Sequence, residues 1–164
     1  MDFTIAVPLT PPPVAVIDAF LDPAFLARTA TLPGIGGGEV LESTRTATTA
    51  RLRVRYRFKA SLNRAVSRVL DPDRLTWVDD ATFDTTACRS AHTLLPDHYP
   101  DRLEATYESR VEPHGTGSTW TVTGDLVVRA PLVGGRVAGM VVAGLADHAR
   151  ARGRLLDAWW AERG

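Results

Sequence analysis

The chain has 164 residues, 45% of them hydrophobic, and its 19 basic residues balance its 19 acidic residues. This length and apolar content suit one ordinary domain with its own core, so we expect residues 1–164 to form a single domain. The zero net charge excludes a molecule-wide attraction to nucleic acid or to an anionic membrane, although it leaves room for a local charged patch.

Cysteine content and the N-terminal residues favour a reducing, cytoplasmic setting. Cys88 is the one cysteine, which excludes an internal disulfide and a thiolate metal cluster. The opening Met-Asp-Phe-Thr lacks a signal-peptide pattern, and no stretch approaches the ~20 apolar residues that cross a bilayer. We therefore predict a cytoplasmic protein without a membrane span, and we predict no cofactor.

The N-terminal segment predicts one strand followed by two short helices. Apolar and small polar residues alternate over 3–7, which is typical of a half-buried strand, and Pro8 is expected to end it. A helix over 13–20 begins with a proline at its first position, where a missing N–H costs nothing. Asp22 then precedes a proline as an N-cap and predicts a second helix over 24–31.

A glycine-rich run follows over 34–38. A phosphate-binding loop needs a strand before it and a helix after it, whereas this run has a predicted helix before it and a strand-like stretch after it. We therefore interpret the run as a flexible turn.

The middle of the chain predicts an antiparallel meander. Its clearest strand is 51–58, where Leu52, Val54, Tyr56 and Phe58 alternate with four arginines, so that one face is buried and the other is wet. The arginines predict a solvated face with cross-strand ion pairs rather than a nucleic-acid stripe, because the aromatic side chains point the other way. With the N-terminal strand, about seven strands are expected, the others lying at 39–48, 75–83, 86–94, 103–111 and 119–129.

The last segment changes to helical periodicity and predicts a long amphipathic helix, roughly over 131–162. Its amphipathic part covers about 28 residues, or about 40 Å, and the apolar stripe needs a broad partner such as the half-buried sheet. The stripe includes Val137, Val141, Leu145, Leu155, Leu156 and Trp159. Glycines at positions 134, 135, 139, 144 and 153 cost helix stability unless close approach or bending repays it, so we expect a lid that bends or moves.

The order of these elements resembles the SRPBCC superfamily, which includes START lipid-transfer domains, plant pathogenesis-related carriers and aromatase/cyclases. The resemblance covers the whole chain. More narrowly, the chain resembles a bacterial branch known only as a domain of unknown function, on the residues Leu75-Thr76-Trp77, Gly115-Thr116-Gly117-Ser118-Thr119-Trp120 and Val128-Arg129-Ala130-Pro131-Leu132-Val133-Gly134-Gly135. It implies an α+β helix-grip fold, with a curved sheet, two short helices after strand one, and a C-terminal helix that closes a hydrophobic cavity. It transfers no catalytic residue.

Two polar residues stand out on the apolar stripe of the long helix. His148 and Arg152 fall near its centre and are one turn apart, so both are expected to point inward. A buried arginine needs a carboxylate, carbonyl groups, water or an acidic ligand group. A structural contact near the cavity mouth and a polar group that lines a ligand site are both open at this point.

The sheet offers possible partners for this pair. His92, Tyr107 and Tyr56 are predicted on inward faces of their strands, a setting for general acid/base work if they lie within hydrogen-bonding reach. The alternative is that both tyrosines are core residues with their hydroxyls at the rim, and Trp77 and Trp120 favour the core in the same way.

Other chemistry finds little support. The four histidines, His92, His98, His114 and His148, show no metal-ligand spacing, so no metal site is predicted. Cys88 is interpreted as a small buried hydrophobe. Asp79, Asp80 and Asp84 do not establish a glycosidase pair, because neighbouring strand residues point in opposite directions.

Two functions and one simpler alternative follow. The first is binding of a hydrophobic small molecule of the lipid, polyketide or isoprenoid class, with no nucleic-acid partner and with the oligomeric state left open. The second is a cyclase, aromatase or isomerase that uses His148, Arg152, Tyr107 or His92. The third is an interaction domain with a filled core, which would hold no pocket above about 300 Å³. The residues predicted to line the ligand site are Val54, Tyr56, Phe58, Trp77, Tyr107, Trp120, Val137, Val141, Leu145, His148 and Arg152.

Overall fold

A computed structural model describes residues 1–59, 61–68 and 70–164. In chain order its elements are β1 (Asp2–Leu9), α1 (Pro13–Phe20), α2 (Pro23–Thr29), β2 (Ile35–Arg45), β3 (Thr49–Phe58), α3 (Arg64–Ser67), a 3-10 turn (Pro72–Arg74), β4 (Thr76–Asp84), β5 (Arg89–Pro96), β6 (Leu103–His114), β7 (Gly117–Val128) and α4 (Gly134–Arg163).

The seven strands form one antiparallel sheet in the order β1-β7-β6-β5-β4-β3-β2. The sheet is curved, and the 30-residue α4 packs across it, chiefly against β1 and β7. The core between them includes Ile5, Val122, Leu126 and Leu156. This arrangement confirms the predicted α+β helix-grip fold, with α3 and the 3-10 turn as additions that the sequence did not indicate.

Strand β1 alternates buried and exposed side chains along its whole length. The prediction that Pro8 ends this strand was wrong, because β1 continues to Leu9 and pairs with β7 throughout. It lies at the edge of the sheet, and an edge strand tolerates a residue that cannot donate a ladder hydrogen bond.

The two short helices follow β1 as predicted. Pro13 is the first residue of α1, and the Asp22 carboxylate accepts a hydrogen bond of 2.8 Å from the N–H of Ala24, which caps α2. The second helix ends at Thr29, two residues before the predicted boundary, and Thr31 lies in the turn that follows.

The glycine-rich run belongs to a strand, so its interpretation as a flexible turn was wrong. Ile35, Gly36 and Gly37 pair with β3 from Phe58 inward, and a bulge separates Gly37 from Glu39. Gly37 has a φ of +93°, a backbone conformation that glycine adopts without steric cost.

The turn between β4 and β5 also departs from prediction. Residues 86–88, predicted as the start of a strand, form a turn in which the Asp84 carboxylate accepts hydrogen bonds from the N–H groups of Thr86 and Ala87 at 3.0 and 2.9 Å. Cys88 has a φ of 52° and ends the turn. Strand β5 therefore begins only at Arg89.

The long helix begins at Gly134 rather than near 131, because Leu132 adopts a φ of 66°. Gly153 lets α4 approach β1 closely, since a Cβ there would lie 2.6 Å from Val7 Cγ1. At Gly144 an added Cβ would meet nothing within 4 Å, so this part of α4 is not closely packed. The bending of the lid stays a prediction.

No helix among the described residues is long and apolar enough to span a membrane.

Candidate functional site

Two partly open cavities lie between the inner face of the sheet and α4. The first, of about 90 Å³, is called here the polar cavity, and it contains His92, Tyr107, His148 and Arg152 in its wall. The second, of about 80 Å³, is called the apolar cavity, and Trp77, Leu103, Val141 and Gly144 are among its lining residues. Leu145 lines both cavities, so the two are neighbours along the same groove.

Both volumes are below the roughly 300 Å³ at which small-molecule pockets begin. They match what we expected of a filled core, if volume alone is considered. Larger depressions of about 740 and 750 Å³ occur on the outer face of the sheet. They are lined by exposed threonine and charged side chains and open to solvent.

Arg152 is the least compensated charge in the polar cavity. Its guanidinium carbon lies 4.2 Å from the Phe20 ring centroid and 5.7 Å from that of Trp120, and such contacts with aromatic faces stabilise a cation. The Nε–H is buried and has no hydrogen-bond partner. Among the described residues no carboxylate forms an ion pair with Arg152, and the Asp79 carboxylate lies in the wall of the same cavity.

His148 lies one turn before Arg152 on α4 and shares the polar cavity. Its buried Nδ1 has no hydrogen-bond partner among the described residues. Burial, followed by the positive charge of Arg152, lowers the pKa of His148 from 6.5 to about 4. The ring is therefore neutral at pH 7, with unused hydrogen-bonding capacity in the cavity wall.

A hydrogen-bonded chain crosses the opposite wall of the polar cavity. His92 Nδ1 lies 3.0 Å from one carboxylate oxygen of Asp79 and 3.1 Å from the other, and His92 Nε2 lies 2.8 Å from Ser90 Oγ. Ser90 Oγ is also 3.1 Å from Ser109 Oγ, which accepts a hydrogen bond of 3.1 Å from the Trp120 indole. This chain supplies both an acceptor carboxylate and an imidazole at the cavity surface.

Two tyrosines complete the polar part of the wall. The Tyr107 ring stacks on His92 with centroids 4.3 Å apart, and burial, followed by the negative charge of Asp79, raises the pKa of Tyr107 well above its ordinary value. Burial likewise raises the pKa of Tyr56, whose ring lies 6.0 Å from Trp77 at the junction of the two cavities. Both phenols are protonated at neutral pH, and the Tyr107 hydroxyl donates a hydrogen bond to the Asp79 carboxylate.

The structure places most of the predicted ligand-site residues on these two cavities. The polar cavity contains Tyr56, Tyr107, Trp120, Leu145, His148 and Arg152, together with His92. The apolar cavity contains Phe58, Trp77, Val137, Val141 and Leu145. Val54 lines neither cavity and is a core residue with an exposure of 1%, because Tyr56, the next inward residue on β3, lies nearer the groove.

Sequence reasoning missed Asp79 as a cavity residue; it placed Ser90 and Ser109 on the strand faces of His92 and Tyr107 but named neither as a site candidate. The signal for Asp79 was present in strand β4, where it shares a face with Trp77 and Ala81, both inward-facing residues. Asp80, its neighbour, points outward and contacts Arg51 at 3.0 Å. The two adjacent carboxylates therefore have different partners on opposite faces of the sheet.

The outer face of β3 is an ion-pair network, which confirms the prediction of a solvated arginine face. Arg51 and Arg53 both contact Asp80, and Arg55 contacts Asp97 at 3.1 Å and Glu39 at 3.4 Å.

Metal and thiol chemistry gain no support. Within residues 1–59, 61–68 and 70–164, no group of three or more histidine, cysteine, aspartate or glutamate side chains could hold a metal ion. Cys88 is buried and free, and burial raises the pKa of its thiol, which disfavours the nucleophilic thiolate.

The fold recurs in solved structures of low sequence identity. The Zhui aromatase/cyclase from Streptomyces sp. R1128 has a TM-score of 0.65 at 14% identity, with 99% of this chain and 94% of that chain covered. The protein TTHA0849 from Thermus thermophilus has a TM-score of 0.64 at 16% identity, covering 96% and 94%. Ara h 8.0201 has a TM-score of 0.59 at 13% identity, covering 97% and 96%. These likenesses show that the chain shares the helix-grip fold of these structures.

The chain belongs to the family described as "Protein of unknown function (DUF2505)", whose model matches residues 4–160. No curated protein matches the sequence.

Proposed function

We propose that this protein binds a small amphipathic molecule between the sheet and α4, with an anionic or strongly polar oxygen group in the polar cavity and an apolar body in the apolar cavity. The observation that carries the proposal is Arg152, a cation held against aromatic rings with a buried, unpartnered Nε–H.

The electrostatics of the polar cavity favour an anionic ligand group. Burying a guanidinium without a counter-charge is costly, and leaving an N–H without a partner adds to that cost. A carboxylate or enolate oxygen beside Arg152 would relieve both, and the guanidinium fork suits a carboxylate. A filled structural core has no such need, which is why we favour a ligand despite the small volumes.

The apolar cavity supports an apolar ligand body. Trp77, Leu94, Leu103 and Val141 contribute to its wall, and burying an aliphatic chain against such side chains contributes about 25 cal/mol per Å². Leu145 lines both cavities and the Tyr56–Trp77 contact joins a residue of one to a residue of the other, so side-chain shifts there would join them. We infer that the ligand opens the groove by moving α4 near Gly144, where the helix is loosely packed.

A paired-probe experiment tests this proposal. The anionic fluorophore 1-anilinonaphthalene-8-sulfonate and the neutral N-phenyl-1-naphthylamine would be titrated into the wild-type protein and into Arg152→Met. We expect the wild type to bind both, and Arg152→Met to lose about tenfold or more in affinity for the anionic probe, as the loss of one charge-assisted contact implies.

Two controls make the result specific. Arg154→Met removes an exposed arginine from the same helix and should leave both affinities unchanged. Retained binding of the neutral probe shows that Arg152→Met keeps its cavity. The proposal fails if the wild type binds neither probe, or if Arg152→Met binds the anionic probe as tightly as the wild type does.

A second function, acid/base catalysis on the bound molecule, is favoured by the pairing of Asp79 with His92 under the Tyr107 ring. An imidazole oriented by a carboxylate can remove a proton next to a carbonyl group, and the phenol and Arg152 can stabilise the enolate that forms. This is the chemistry of cyclases, aromatases and isomerases, and the likeness to a structure described as an aromatase/cyclase supports it.

Proton exchange would test this second function without a known substrate. A β-diketone in D2O should exchange its central protons faster with wild-type protein than with His92→Gln, by about 10²-fold or more if His92 is the base. Equal exchange in buffer, wild type and variant would eliminate acid/base catalysis at His92.

A further inference from the structure

The chain that runs from Asp79 through His92 to Ser90 has the order of contacts that activates a serine nucleophile. Asp79 faces Nδ1 of the imidazole at 3.0 Å, and Ser90 Oγ faces Nε2 at 2.8 Å. In hydrolases that use serine, histidine and aspartate, the same two ring nitrogens serve the same two partners, whatever the fold and the chain order.

The proton positions in this series of hydrogen bonds follow from Asp79, the acceptor at one end of it. An ionised carboxylate can only accept, so Asp79 holds the imidazole proton on Nδ1. In the neutral ring Nε2 is then an acceptor, and the Ser90 hydroxyl is the donor within reach. Ser109 Oγ, at 3.1 Å, is a second and longer acceptor for the same hydroxyl.

The three side chains are held by the sheet and open onto the ligand cavity. Ser90 and His92 are inward neighbours on β5, and Asp79 lies on β4, where Ala81 is the register partner of His92. The exposures are 5% for Ser90 and 11% and 14% for the His92 and Asp79 side chains. All three line the polar cavity, so a ligand bound there would meet Ser90 directly.

A donor for a developing negative charge is also present in the cavity. Arg152 has its unpartnered Nε–H there, and its guanidinium lies beside Trp120, which is hydrogen-bonded through Ser109 to Ser90. In many acyl-transfer enzymes, hydrogen-bond donors that point at the oxyanion make the largest single contribution to transition-state stabilisation.

We propose that Ser90 is an acyl-accepting nucleophile, with His92 as its general base and Asp79 as a positioning residue, and that the substrate is an ester or thioester whose apolar acyl chain occupies the apolar cavity. This inference rests on the proposed function, because the acyl chain uses the same ligand cavity.

The reaction balances with water as the co-substrate. The bond from Ser90 Oγ to the acyl carbon forms while the hydroxyl proton moves to His92 Nε2, and the leaving alcohol or thiol takes that proton as its bond to the acyl carbon breaks. Water then attacks the acyl-serine and gives a proton to His92. Ser90 recovers that proton as it leaves, and a carboxylic acid is released.

An active-site label tests the assignment on the intact protein. An octyl fluorophosphonate ester should form a phosphorus–oxygen bond to Ser90 with loss of fluoride, seen as a mass increase of the whole protein and mapped to Ser90 by peptide sequencing. Ser90→Ala should abolish this adduct. His92→Gln should slow labelling by about 10²-fold or more. Ser118→Ala, a buried serine that lies outside the cavity and donates to the Pro11 carbonyl, should label at the wild-type rate.

The positioning role of Asp79 has its own readout. Asp79→Asn should slow labelling at least about tenfold, and 15N NMR should show the His92 proton on Nδ1 in the wild type and distributed between both ring nitrogens in the variant. A purely structural role for Asp79 would leave the tautomer unchanged.

A non-reactive octyl phosphonate, titrated by calorimetry, separates the possible failures. If it does not bind, both the proposed function and this inference are overturned. If it binds and the fluorophosphonate leaves Ser90 unlabelled, this inference alone is overturned and the ligand-binding function stands.

Discussion

Arginine side chains lie on both sides of the sheet, and the partners of their charges differ between the two sides. On the outer face, Arg51 and Arg55 each contact carboxylates on neighbouring strands or loops. On the inner side, Arg152 has aromatic rings around it and an N–H without a partner. Solvent and paired carboxylates make the outer arginines cost little. The inner arginine has no ion-pair partner among the described residues, and charged groups of this kind in a cavity are typical of ligand sites.

The largest expected effect is a loss of stability at low pH, and it comes from His148, the uncharged neighbour of Arg152. Because the pKa of His148 is about 4 in the folded protein and 6.5 otherwise, the unfolded chain binds a proton first as the pH falls. Stability should therefore decrease from about pH 6.5 to about pH 4, by up to about 3 kcal/mol from this group.

Urea unfolding at pH 7 and pH 4.5 checks this prediction. The wild type should lose more stability between the two pH values than His148→Gln, whereas the exposed His114→Gln should behave like the wild type. An equal loss in the wild type and in His148→Gln would mean that His148 is not buried against Arg152.

The next largest effect is the difference in stability between alanine substitutions at two glycines of α4. It tests where free space lies between α4 and the sheet. Gly153→Ala should destabilise by about 1–3 kcal/mol, because its Cβ would lie 2.6 Å from Val7 Cγ1. Gly144→Ala should stabilise by up to about 1 kcal/mol, because its Cβ meets nothing within 4 Å and alanine favours the helix. Thermal unfolding of both variants measures these two changes in stability. Destabilisation by Gly144→Ala would contradict loose packing between α4 and the sheet at this position.

The arginines themselves provide the smaller and most specific test. Arg152→Met should stabilise the ligand-free protein by about 1–2 kcal/mol, because an apolar side chain of similar length removes a charge without a counter-ion. Arg55→Met, which removes an exposed and paired charge, should leave the urea midpoint within the error of the measurement. If Arg152→Met is the less stable protein, then Arg152 is a structural contact and the difference between the two faces disappears.

Much of the fold follows from periodicity, because periodicity reports burial directly. The alternation in β3 and the apolar stripe of α4 predicted both elements and the inward direction of His148 and Arg152. Pro8 and the glycine-rich run were misinterpreted since proline and glycine are read as breaks, whereas an edge strand and a bulge accommodate them.

The site was only half accessible to sequence reasoning. Ser90 and His92 share a strand face, which the alternation showed, but the contact of His92 with Asp79 depends on the register of β4 against β5. Register between strands is set by pairing and turn geometry that one sequence does not disclose. The cavity volumes depend on how closely side chains pack, which lies still further from any pattern of residues.

The central claim is that Arg152 holds the polar group of a bound amphipathic molecule. NMR of the arginine Nε–H groups during titration with a medium-chain fatty acid tests it directly. We predict that the Arg152 Nε–H resonance shifts and gains protection from solvent exchange, while the Arg51 and Arg55 resonances stay in place. An unchanged Arg152 resonance with a saturating, bound fatty acid, or shifts confined to the outer arginines, would contradict it.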